Sequence, residues 1–173
     1  MNHKDTEAQS NEARRQRLNE LSHRVIGLCM EVHRELGPGL LESAYEEALA
    51  YEFVQAGIQF ERQRQTPLLY KGVRLDCGYR IDFLVENELI VELKTVGDLL
   101  PIHHAQVLTY LKLERRSLGL FVNFCVPTLK DGVRRIVAGQ LFKNEAPLGG
   151  GFAQLSLLLC ASVALWFKSR LLG

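Results

Sequence analysis

From Leu18 the apolar residues recur at Leu18, Leu21, Val25, Leu28, Val32 and Leu36, which is helical spacing. Gly37-Pro38-Gly39 ends that pattern as a strong breaker. A second helix is predicted over roughly 41 to 56, with Leu41, Tyr45, Ala48, Leu49 and Phe53 as its inner stripe and Gly57 as its cap. The period then changes to two. Ile58 and Phe60 alternate, Leu68 to Tyr70 is a short apolar run, and Lys71-Gly72 reads as a turn. Val73, Leu75, Cys77, Tyr79, Ile81, Phe83 and Val85 follow as one long alternating strand. Glu86-Asn87-Glu88 is a tight connection, and Leu89 to Lys94 is more continuously apolar, as expected deep in a sheet. Pro101 opens a third helix to about Glu114, with Ala105, Leu108 and Leu111 facing in. Leu118 to Phe124 reads as a buried strand, and Val133 to Val137 as a weaker last one after a Lys130-Asp131-Gly132 turn. The predicted order, α-α-β-β-β-β-α-β-β, points to an α/β fold with a central mixed sheet flanked by helices.

The two ends differ from this middle. Residues 1–17 are polar and charged, without the apolar stretch of a secretory signal, and predict a frayed or disordered lead-in. Of the 41 Lys, Arg, Asp and Glu residues, only Lys168 and Arg170 lie beyond residue 145. Gly149-Gly150-Gly151 reads as a hinge, which divides a domain over 18–143 from an apolar tail over 144–173. The uncharged run of residues 152–167 is short of the about 20 apolar residues of a membrane span. Three readings of it stand: a helix packed on the core or on a second copy of the chain, as in a homo-oligomer; a membrane contact; or an extension without function. The net charge of +1 neither demands nor excludes nucleic acid. Cys29, Cys77, Cys125 and Cys160 form no Cys-x-x-Cys pair and read as reduced, small apolar residues, which fits a cytoplasmic protein.

One feature of the 79–95 hairpin resists a packing explanation. Asp82, Glu92 and Lys94 occupy its apolar strands. Residues two apart on a strand share a face, so Glu92 and Lys94 point the same way. With a three-residue connection over 86–88, Val85 faces Leu89, and counting back sets Asp82 opposite Glu92. Two opposed carboxylates destabilise a sheet and resist joint ionisation. A hard divalent cation would compensate them, with Lys94 beside it as a point charge for a phosphate or as an orienter of water. The alternative is a solvated outer face carrying an exposed Glu-Lys pair.

Asp82, nine residues, then Glu92-Leu93-Lys94 resembles the active-site signature of the PD-(D/E)XK nuclease superfamily. "GLLESAY", Gly39 to Tyr45, resembles the Gly-x-x-Glu-x-x-Tyr motif of the GxxExxY protein family, a branch of that superfamily. The stretches "EVHRELGPGLLESAYEEAL" and "VNFCVPTLKDGVRRIV" are similar to that family as well, and the resemblance covers roughly residues 18 to 139. It implies a restriction-endonuclease-like core, a Mg²⁺ or Mn²⁺ cofactor and a nucleic-acid substrate, DNA or RNA. It also implies that Asp82 and Glu92 ligate the metal, with the Leu93 carbonyl as a third ligand. Lys94 would be the catalytic lysine, and Glu42 the acid contributed by an early helix. Gln106 and Tyr110 match a Gln-x-x-x-Tyr helix motif of exonuclease-like branches. The proline that precedes the first acid in the superfamily's name is replaced here by Ile81.

Outside the resemblance the same residues have plainer readings. Glu42 stands in a first helical turn, where any acid is favoured by the helix dipole. Tyr45 shares its side of the helix and reads as core rather than chemistry. His33, His103 and His104 lack a third partner at metal spacing and read as structural or as a fringe of the site. Arg62, Arg64, Lys71, Arg74 and Arg80 could bind phosphates or simply defend a strand edge. Rival functions are a binding module that has lost turnover and an interaction protein working through its tail.

Overall fold

A computed structural model describes residues 3–76 and 78–139, with side chains from residue 8 onward. The expected tail, its Gly hinge and Cys160 lie outside the described residues, as does Cys77. Helix α1 runs from His3 to Leu36 and α2 from Glu42 to Gln55. Strands β1 (Phe60–Gln65), β4 (Arg80–Val85), β5 (Leu89–Lys94), β6 (Leu118–Asn123) and β7 (Val133–Val137) form one sheet in the order β1-β4-β5-β6-β7. Its pairs are antiparallel except β5 with β6, which are parallel and joined through α3 (Pro101–Leu113). The sheet is mixed and helix-flanked, as its pattern predicted.

Each face of the sheet buries its own core. Leu89, Val91 and Leu93 of β5 join Phe83, Val85, Leu118, Leu120 and Val122 beneath Val25, Val32, Tyr45, Leu49 and Phe53 of α1 and α2. On the other face Leu84, Ile90 and Phe121 meet Val107, Tyr110 and Leu111 of α3. Alternation along β5 therefore assigns Glu92 and Lys94 to the α3 face, with Ile90. Gly119 lets α3 come close, since a Cβ there would sit 2.6 Å from Val107 Cγ1.

Four expectations need correction. The lead-in over 1–17 is helical from His3, and Arg14 bonds Glu88 at 2.7 Å, so tertiary contact extends the helix beyond its apolar stripe. The single long strand over 73–85 is two strands. Gly78, at φ +75°, turns the chain, so β3 (Val73–Leu75) pairs only with β2 (Leu68–Tyr70) in a separate ribbon while β4 joins the main sheet. The Lys130-Asp131-Gly132 turn is a short helix, α4 (Leu129–Gly132). Finally, Leu41 is no inner residue: it precedes α2 and is 78% exposed. Among the described residues no helix is long and apolar enough to cross a membrane.

Candidate metal and phosphate site

The hairpin register is the one the connection dictates: Val85↔Leu89, Leu84↔Ile90 and Phe83↔Val91. Pairing stops one step short of Asp82 and Glu92. Asp82 Oδ2 instead accepts the Leu93 N–H at 2.8 Å, so the acid takes the place of a backbone acceptor at the point where the strands part. Glu92 is almost wholly buried, at 1% exposure. The Lys94 ammonium donates to Glu92 Oε1 at 2.8 Å and to the Leu93 carbonyl at 2.7 Å, and lies 3.6 Å from Glu42 Oε1. The exposed Glu-Lys pair that the sequence left open is therefore excluded.

Glu42, Asp82, Glu92, Lys94, Gln106 and Tyr110 line one cavity of about 360 Å³, together with Gln65, Gly78 and Arg80. They come from five elements or their ends, which only the tertiary fold can gather. On α3, Gln106 and Tyr110 are one turn apart, and Gln106 Nε2 donates to the Tyr110 hydroxyl at 2.8 Å. That hydroxyl donates to the Arg80 carbonyl at 2.9 Å and so ties α3 to the start of β4.

Gly39 and Tyr45 do not line the cavity. Their part is to shape the turn that presents Glu42. Gly39 takes φ +100°, a conformation open to glycine at little cost. Tyr45 is fully buried, stacks on Phe124 with centroids 4.4 Å apart, and donates to the Gly37 carbonyl at 2.6 Å while accepting the Leu40 N–H at 3.1 Å. The Gly-x-x-Glu-x-x-Tyr spacing thus reads physically as a permissive turn, an acid at the helix start and a ring that locks both.

The electrostatics follow from burial. Glu92 is pushed up to about 8 by desolvation and then by Asp82, against the pull of Lys94. Burial also raises Asp82 and Glu42. Burial alone would lower Lys94, but Glu92 foremost, with Glu42 and Asp82, outweighs it and the ammonium is raised. Among the described residues no three His, Cys, Asp or Glu side chains are grouped at metal-ligand spacing. A hard cation such as Mg²⁺ needs only one or two carboxylates, the rest of its shell being water and phosphate. The residues fit one: Glu92 Oε2 is buried without a hydrogen-bond partner, and the Asp82 and Glu42 carboxylates line the same cavity as further oxygen donors. Lining acids outnumber lining cations, with Glu42, Asp82 and Glu92 against Arg80 and Lys94, so the ionised cavity has room for added positive charge.

The profile of the PD-(D/E)XK nuclease superfamily matches residues 19–136. The chain belongs to the PD-(D/E)XK nuclease superfamily. The matched span holds every cavity-lining residue and all the buried core residues of both sheet faces except Leu18. No curated protein and no solved structure gives a significant match.

Other candidates separate cleanly. His33 Nε2 is 2.9 Å from the Val126 carbonyl, and His103 Nδ1 accepts the Leu100 N–H at 3.2 Å, so both serve the fold. Arg62 is held by Glu46 and Glu47, Arg64 by Glu61 and Glu114, and Arg74 by Asp76. Lys71 lies over the Tyr70 ring. Arg80, exposed at the cavity, makes no ion pair among the described residues.

Two supporting residues carried no sequence signal. Asn123 is buried and brackets the chain after Lys94, with Nδ2 donating to the Val96 carbonyl at 2.7 Å and Oδ1 accepting the Val96 N–H at 3.1 Å. Gln63 reaches Asp82 Oδ1 from the neighbouring strand at 3.3 Å. A polar residue on a strand shows its partner only once strands are paired.

Proposed function

We propose that the chain is a divalent-metal-dependent nuclease of the GxxExxY branch, hydrolysing phosphodiester bonds of DNA or RNA. The observation that carries the reading is the convergence of Asp82, Glu92, Lys94, Gln106 and Glu42 on one cavity. Superfamily membership gives the reaction class its weight.

Asp82 and Glu92, with the Leu93 carbonyl, would hold Mg²⁺ or Mn²⁺. A divalent ion there supplies a lowered water pKa and charge to offset the phosphate. Lys94 stabilises negative charge developing on the attacked phosphoryl oxygens, and its contacts with Glu92 and Leu93 fix where that charge acts. Glu42, at 3.6 Å, is a second carboxylate that restrains the ammonium. Gln106 and Tyr110 form the α3 wall and orient polar groups toward the substrate.

The test is cleavage of labelled single- and double-stranded DNA and RNA with Mg²⁺, Mn²⁺ or chelator. Asp82→Asn should abolish both cleavage and the thermal stabilisation by Mn²⁺, while the metal-free protein stays folded because a like-charge repulsion is removed. Cleavage that survives chelation or Asp82→Asn would sink the mechanism. Binding of nucleic acid without cleavage of any substrate would make the protein a binding module on the same fold.

A further inference from the structure

We infer that Gln63 is a positioning residue for Asp82: its side-chain amide holds that carboxylate in place at the cavity. The inference deepens the proposed metal-binding role of Asp82 and rests on it.

Strands β1 and β4 pair on either side of this point, with Arg62 opposite Phe83 and Arg64 opposite Ile81. Gln63 and Asp82 face one another between those pairs. Gln63 has φ +52°, in the left-handed region. The other described non-glycine residues with positive φ are Lys71, Glu86, Asn87 and Arg115, and each lies in a turn. Among the described non-glycine residues, Gln63 alone adopts this conformation inside a strand. Nothing in a glutamine favours it, since an unbranched side chain is comfortable in the extended region.

The side chain shows what the conformation achieves. Gln63 Nε2 donates to Glu46 Oε1 at 2.7 Å and to Asp82 Oδ1 at 3.3 Å. This fixes the amide orientation, because the reversed amide would set its oxygen against two carboxylates. Glu46 is in turn gripped by Arg62 Nε at 2.5 Å and is only 8% exposed. A chain of contacts therefore runs from Arg62 through Glu46 and Gln63 to Asp82, and anchors the acid to α2 and β1. The Leu93 N–H fixes the other Asp82 oxygen. The amide oxygen of Gln63, meanwhile, is buried and unpartnered. One residue thus combines a strained backbone with an orphaned oxygen, and its return is the contact with Glu46 and Asp82. Strain and unsatisfied groups gather where geometry serves a site rather than stability. Residues that orient a ligand act in this way on the affinity of the metal it binds.

Two variants separate positioning from mere structure. Gln63→Gly removes the amide but accepts the positive φ without strain. Gln63→Met keeps the strain and the length but loses the donor. Thermal unfolding without metal and calorimetric Mn²⁺ binding are measured for each. Gln63→Gly is expected to melt no lower than the wild type, yet both variants bind Mn²⁺ about tenfold or more weakly. A Gln63→Gly protein that binds Mn²⁺ like the wild type, or that melts well below it, overturns the inference. A second arm needs no metal. In a double-mutant cycle on metal-free stability, the effect of Gln63→Met should shrink in an Asp82→Ala background, because the two side chains share a hydrogen bond. Additive effects overturn the inference. Absence of Mn²⁺ binding by the wild type would overturn the metal reading of the cavity, and the cycle would then decide the Gln63–Asp82 link alone.

Discussion

The Lys94 ammonium rests 2.8 Å from Glu92 Oε1, with side-chain exposures of 17% and 2%. Breaking a buried pair by removing one partner typically costs about 3–5 kcal/mol, less where the orphaned carboxylate can take up a proton. Lys94→Ala should therefore stay folded but melt lower without metal, and Mn²⁺ should recover part of the loss by replacing the missing positive charge. Cleavage should fall at least about a hundredfold, the scale for losing one electrostatic stabiliser. Urea unfolding with and without Mn²⁺, alongside cleavage rates, tests both; undiminished cleavage would remove Lys94 from the chemistry.

Stability without metal should fall as pH rises. The native Glu92 carboxyl titrates at about 8, against an ordinary value of 4.5, so between the two the native state holds a proton that the unfolded state has released. Its contribution is complete below the lower value and is lost as pH climbs through the upper one. Asp82 and Glu42 are raised as well and act in the same direction. Lys94, raised above its ordinary value, keeps its charge beyond this window and does not reverse the slope. The urea midpoint should be lower at about pH 8.5 than at about pH 6, and Glu92→Gln should remove much of the difference. A midpoint that rises with pH in the wild type but not in Glu92→Gln would contradict the assignment.

The turn before α2 should be sensitive to small changes. Tyr45→Phe deletes the hydrogen bonds to the Gly37 carbonyl and the Leu40 N–H, at about 1–2 kcal/mol together. Gly39→Ala meets no atom within 4 Å, so its cost is the strain of φ +100° alone, on the order of 1 kcal/mol or more. Both should lower stability, and both should lower cleavage further than stability explains, because Glu42 begins the helix that this turn sets. Wild-type cleavage in either variant at a temperature where it is fully folded would leave the motif a purely structural role.

Arg80 and Arg62 should behave differently toward nucleic acid. Arg62 is spent on Glu46 and Glu47, whereas Arg80 lines the cavity without an ion pair among the described residues. Arg80→Gln should weaken binding of uncleaved DNA and reduce the slope of log affinity against log salt by about one. Arg62→Gln should leave that slope unchanged and lower stability instead. The reverse pattern would place the phosphate contact elsewhere.

The sequence alone determined the local geometry. Period-two alternation put Glu92 and Lys94 on one face, and the Glu86-Asn87-Glu88 connection fixed the register from Val85↔Leu89 to Phe83↔Val91, one step short of Asp82 and Glu92. Helical spacing put Gln106 and Tyr110 one turn apart. These are relations between near neighbours, set by backbone periodicity. The tertiary structure decided the rest. It carried α1 back to His3, cut the long strand at Gly78, and spent three arginines of one predicted basic stretch on carboxylates while leaving Arg80 without an ion pair among the described residues. It turned Gln63 toward Asp82 at the cost of a strained backbone, and it set Lys94 beside Glu92 and Glu42. Burial, pairing and the charge state that follows from them depend on groups distant in the chain, and no periodicity encodes which of those will meet.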